Sequence, residues 1–240
     1  MLLNKYGVAA ALALASIARA DVLYSDVTTF SGEGFPNGGA TVVAGNNTTV
    51  MVADDITVAA GAAGATVTGF TFSVANFNAA AVSARPTLAF FDNDGSSGGP
   101  GTLLGSFTLS PQSFAAGAVA FFTDAGTFIV PASGTFWAGV FFDDNNGGTG
   151  ATTAQLNSLG QGVFGPPTVG SSADEFFQSS GAGSASSNPA GGFFFFGGNP
   201  VADFGWSFTG DLATPEPGTG LLLLLAGVPL AWRLRAKRRS

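Results

Sequence analysis

Over residues 67–74 the chain alternates. Thr68, Phe70, Phe72 and Val74 fall on one side of an extended backbone, and Val67, Gly69, Thr71 and Ser73 on the other. A period of two marks a half-buried strand, because successive side chains of an extended chain point to opposite faces. Further short runs rich in Phe, Val and Thr, bounded by Gly, Asn or Asp, predict strands over 22–30, 48–53, 56–59, 87–91, 103–109, 118–123, 127–130, 135–142 and 201–209. No stretch between the two chain ends keeps a 3.6-residue stripe. The expectation is an all-β fold, an antiparallel β-sandwich or jelly roll, forming one domain over residues 21–212. Residues 181–192, rich in Gly, Ala and Ser, predict a long loop. Phe193–Phe196, four rings between glycine pairs, predict a strand buried on both faces, since a soluble surface seldom carries so large an apolar patch, with an exposed aromatic patch that binds a partner as the alternative.

The ends follow a different pattern. Lys5 precedes an apolar run over residues 7–18, and Ala18-Arg19-Ala20 follows it. A positive start, a short apolar segment and small residues at alternate positions predict a signal peptide over residues 1–20, cut by signal peptidase between Ala20 and Asp21. Residues 213–240 begin with Pro215, Glu216 and Pro217, continue as an apolar stretch over 218–232, and end in Arg233, Arg235, Lys237, Arg238 and Arg239. A helix crossing the hydrocarbon layer needs about 20 residues, so this stretch predicts one short transmembrane helix. Its basic cluster would be retained on the cytoplasmic side, and the chain before Pro215 would face outward.

The Pro-Glu-Pro triplet, short apolar helix and terminal basic cluster, in that order behind a signal peptide, resemble the PEP-CTERM sorting signal of exported bacterial proteins. Residues 52–56, 100–104, 130–139 and 199–206 are similar to recurring pieces of that group's β-rich ectodomains. The resemblance implies that the chain is a substrate of exosortase, a membrane-embedded transpeptidase-like enzyme that processes such tails near the triplet. It also implies an inner-membrane-anchored intermediate, released or transferred to the cell surface or extracellular matrix, where a structural or exopolysaccharide-associated role is expected. It brings no enzymatic activity with it.

Composition narrows the chemistry of the body. There is no Cys and no His, so a thiol nucleophile, a Ser-His-Asp triad, an imidazole base and a Cys/His zinc site are all excluded. The net charge of −7 conceals a division, because residues 21–214 hold fourteen acidic side chains against the single Arg85, a net −13. Such a body repels nucleic acid and attracts divalent cations.

Two segments run from an apolar strand directly into a turn of Asp, Asn and Gly: Asp92, Asn93 and Asp94 in one, Asp143, Asp144 and Asn145 in the other. These oxygens suit calcium, and the same residues suit turns that they cap themselves. Asp54 and Asp55 share the ambiguity. A calcium-stabilised carbohydrate-binding module is one alternative function, with Trp137, Trp206 or Tyr24 stacking on sugar rings. A glycoside hydrolase or lyase is another, drawing two carboxylates from Glu33, Glu175, Asp54, Asp92, Asp143 and Asp174. Nothing in their spacing selects a pair, and the chain carries no P-loop, G-x-S-x-G or dinucleotide-binding glycine pattern. The expectation is therefore a non-enzymatic protein.

Overall fold

Aromatic and β-branched side chains fit a pleated surface better than a helix, and this chain carries 24 Phe. The computed structural model describes residues 20–183 and 185–212. The sorting tail and all of the signal peptide but Ala20 lie outside the described residues. In chain order the strands are β1 (Asp21–Ser25), β2 (Gly34–Pro36), β3 (Thr41–Val43), β4 (Asn46–Thr48), β5 (Val50–Thr57), β6 (Thr66–Asn76), β7 (Val82–Asp92) and β8 (Leu103–Thr108). They continue as β9 (Gln112–Phe114), β10 (Val119–Ile129), β11 (Thr135–Asp143), β12 (Leu159–Phe164), β13 (Phe176–Ala182), β14 (Gly191–Phe194), β15 (Asp203–Phe204) and β16 (Trp206–Asp211). One helical turn, α1 (Thr153–Leu156), starts at Thr152, whose hydroxyl accepts the Gln155 N–H while Gln155 reaches back to the Thr152 N–H.

All strand pairs are antiparallel, and they form two sheets. In the first, β6 is central, with β10 on one edge and β16 on the other, and β1 pairs with β16. β12 meets the end of β6 and carries β2 and β15. In the second, the order is β14-β13-β5-β11-β7-β8, with β3 and β4 at one end of β11 and β9 beside the start of β7. The all-β antiparallel architecture matches expectation.

The sheets face each other across a phenylalanine core. Phe90 of β7 stacks on Phe128 of β10 at 4.6 Å and meets Phe208 and Trp206 of β16 edge-on at 5.6 and 5.9 Å. A second, smaller cluster lies on the outer face of the second sheet, where Met51, Ala53, Phe91, Trp137 and Phe177 are buried beneath loops. β5 is therefore covered on both faces, and its inward row is Val52, Asp54 and Ile56. The expected break between residues 53 and 56 does not occur, because both aspartates stay within the strand and find hydrogen-bond donors across the fold.

The four-ring stretch also departs from expectation. Phe193 packs against Trp137 and Phe177, and Phe196 against Phe176, but Phe194 and Phe195 are exposed. β14 is an edge strand, paired with β13 alone, and it ends at Phe194, so Phe195 lies beyond the sheet.

Candidate functional site

The tryptophans do not form a sugar platform. Trp137 is 1% exposed and Trp206 fully buried. Trp137 is sealed by the loop after β7, where its Nε1 donates to the Gly98 carbonyl at 2.9 Å. Trp206 stacks on Phe208 inside the sandwich, and Tyr24 is equally enclosed. The stacking expectation is corrected on all three, because Tyr24 and Trp206 fill the core between the sheets and Trp137 fills the second cluster under its loops, where the apolar area removed from water is large.

The two Asp/Asn turns lie at opposite ends of the β7–β11 pair, for Asp92 is opposite Phe136 and Asp143 opposite Arg85. Each is held by local donors. Asp94 accepts the Thr102 N–H at 2.6 Å and its hydroxyl at 2.7 Å, and Asp92 accepts the Asn93 N–H. Those two bonds hold the Asp94 carboxyl below the usual carboxylate range. Asp143 binds Arg85 at 2.9 Å and caps the Asn145 N–H, while Asp144 accepts from Asn47 and Gly147. Asn145 and Asn146 have φ of 54° and 53°, the left-handed conformation that asparagine tolerates. Among the described residues no three acidic side chains are placed to hold a metal ion.

A different set of buried carboxylates gathers around β5. Asp54 points into the interior, accepting the Phe204 N–H of β15 at 2.8 Å on one oxygen and the Ser172 hydroxyl at 3.3 Å on the other. It thereby links the two sheets. Asp55, on the opposite face, accepts the Ala173 N–H at 3.1 Å and the same hydroxyl at 3.3 Å. Asp26 and Asp203 complete the set. Both Asp26 oxygens, Asp203 Oδ1 and the Tyr24 hydroxyl are buried with no hydrogen-bond partner among the described residues.

Electrostatics follow from this placement. Burial, with the Asp203 charge, pushes Asp26 up to about 7. Burial pushes Asp55 up to about 7 as well, Glu175 and Asp203 adding to the rise against the bonds from Ala173 and Ser172. Burial and the neighbouring Asp55 raise Asp54 well above the carboxylate range, and burial raises Asp203. Tyr24 is raised by burial and then by the charges of Asp54, Asp26, Asp203 and Asp55. Arg85, the one base among the described residues, is engaged elsewhere. The cluster can hold protons near neutral pH and tie sheet to sheet, but it is closed to a polymeric substrate.

One open surface groove, of about 600 Å³, lies beside β2, β6 and β10, lined by Phe30, Glu33, Gly34, Asn76, Phe77 and Val119 among others. Phe30 and Phe77 are 45% and 48% exposed. The close approach of Phe77 needs a glycine, since a Cβ at Gly34 would lie 2.8 Å from Phe77 Cζ, whereas one at Gly162, under Phe30, would meet Phe30 Cε2 at 3.4 Å, an ordinary contact. No local sequence pattern announces this groove, whose two rings and carboxylate come from separate segments.

No family model matches the chain, and no curated protein does. One solved structure, of infectious bursal disease virus Gx strain, is similar at 11% identity and a TM-score of 0.30 over 87% of this chain and 49% of that one. A likeness of that degree carries no argument.

Proposed function

We propose that this is an exported, acidic β-sandwich protein of the cell surface or extracellular matrix, with a structural or polysaccharide-associated role and no catalytic activity. In this reading the signal peptide is cut after Ala20, and residues 213–240 anchor an intermediate in the inner membrane until exosortase acts near Pro215, Glu216 and Pro217. The observation that carries it is the ordered tail of triplet, apolar stretch and basic cluster. The fold is compatible with both cuts, for β1 starts at Asp21 and β16 ends at Asp211, so removing both signals would leave every strand among the described residues in place.

The absence of catalysis is supported by the site chemistry. Glycoside hydrolysis needs two carboxyl groups flanking the scissile bond, roughly 5–10 Å apart. Glu33 is the one acid lining the groove, and the carboxylates that do gather are buried. The test is a triple Ala variant of Pro215, Glu216 and Pro217, followed by membrane fractionation and intact mass. Retention of the unprocessed chain in the membrane is expected, and normal tail processing would overturn the exosortase reading.

A further inference from the structure

We infer that the groove beside Glu33 is a binding site for a neutral oligosaccharide, with Phe30 and Phe77 as ring platforms and the Glu33 carboxylate as acceptor for sugar hydroxyls. This rests on the polysaccharide-associated reading and gives it a place and a ligand class.

Three observations converge there. First, two half-exposed Phe rings flank one concavity of about 600 Å³, within the size range of small-molecule sites. The rest of the lining is largely small, Gly34, Ala75 and Ala118 among it, with Asn76 and Val119. Second, both platforms are held before any ligand arrives. The Phe77 N–H donates to the Ser158 carbonyl at 2.9 Å, and the preceding Asn76 is fixed through its amide to Ala80 and Phe114. Beside Phe30, the Ser31 N–H and hydroxyl both donate to the Val163 carbonyl, at 3.0 and 2.9 Å, and the Phe30 ring rests on Phe164 at 5.2 Å. A preorganised site loses little entropy on binding. Third, the Glu33 carboxylate is exposed and makes no hydrogen bond or ion pair among the described residues, while its own backbone is pinned by Ser31 and Val163.

The ligand class follows from these groups taken together. A wholly apolar partner would cover the rings but bury the Glu33 charge without a donor, which is unfavourable. A polyanion would meet both Glu33 and a body of net charge −13. A neutral sugar satisfies both demands, laying its C–H face on a ring and directing its hydroxyls to the carboxylate.

The experiment uses the full chain purified in a detergent without a sugar headgroup, titrated calorimetrically with neutral gluco-, manno- and galacto-configured hexasaccharides and with an oligouronate. Binding to at least one neutral hexasaccharide and none to the oligouronate is expected. Phe30→Ala and Phe77→Ala should each weaken binding about tenfold, the usual consequence of removing an aromatic anchor. Phe195→Ala, on the other sheet's edge segment, should leave it unchanged, and thermal midpoints confirm that each variant is folded. The inference is overturned if a folded protein binds none of the neutral panel, if both Phe variants bind normally, or if those variants instead abolish self-association, which would make the groove a protein interface. Each readout is independent of tail processing, so failure here leaves the sorting reading standing, and failure of sorting leaves the groove standing.

Discussion

The acidic residues of this protein live in two opposite settings. At the ends of β7 and β11 the Asp/Asn turns are met by nearby N–H groups, a hydroxyl and Arg85, and the bonds to Asp94 make ionisation easier. Around β5, Asp26, Asp54 and Asp203 are enclosed without any cation, and burial makes ionisation harder. The contrast shows that residue type does not decide the role. A carboxylate beside its own turn is a cap, whereas one enclosed by Phe is a proton store and a tie between sheets.

The pH dependence of stability should separate the two settings most widely. Asp26 and Asp55 titrate at about 7 in the folded chain against an ordinary 3.8, so the native state holds protons that the unfolded chain has released. Stability is therefore greatest below about pH 4 as far as these groups are concerned, and is lost as pH rises through 7. Each such proton contributes a slope of about 1.4 kcal/mol per pH unit. Chemical denaturation at pH 5 and pH 8 should give lower stability at pH 8, and a flat profile would break the comparison. Asp26→Asn should flatten it in part.

Asp54→Ala comes next, because it strands the buried Phe204 N–H and removes the tie. A loss of about 3 kcal/mol, or roughly 10 °C in the thermal midpoint, is expected. Asp54→Asn, which keeps an acceptor oxygen, should recover most of it, and equal losses would show that the hydrogen bond is not the reason.

Among the turns, Arg85→Met leaves Asp143 and Asn145 without their donor, and a loss of about 2 kcal/mol is expected in the same assay. Asp94→Ala, at an exposed cap, should lower the midpoint by less than Arg85→Met does. The smallest effect concerns calcium. Since these carboxylates already accept protein donors, moving from chelator to millimolar calcium should leave the midpoint nearly unchanged. A rise of several degrees would mean that calcium displaces those donors at one of the turns.

Much of the fold was legible from pattern, since the alternation over residues 67–74 lies within β6 and the runs over 87–91 and 135–142 lie within β7 and β11. The failures are instructive. Asp54 and Asp55 read as a break because their partners, Phe204 and Ala173, are more than a hundred residues away. β12, with the sequence LGQGVF, gave no strand signal, for Gly160 and Gly162 leave its outer face almost without side chains. The tryptophans suggested stacking by type alone, and burial overrode type. The groove was invisible for a related reason, because Phe30 with Glu33, Phe77 and the glycine under Phe30 lie in three distant segments and meet only when β2, β6 and β12 come together.

The pairing of β1 with β16 sets Asp21 opposite Gly210, so the beginning and end of the fold share one edge, while Asp211 pairs with Thr66 of β6. β16 is hydrogen-bonded on both sides, to β1 and to β6. A load applied to Asp211 along the axis of β16 would be carried as shear across those bonds together. They could not open one after another as in a zipper, which makes the end of β16 a mechanically strong place from which to be held.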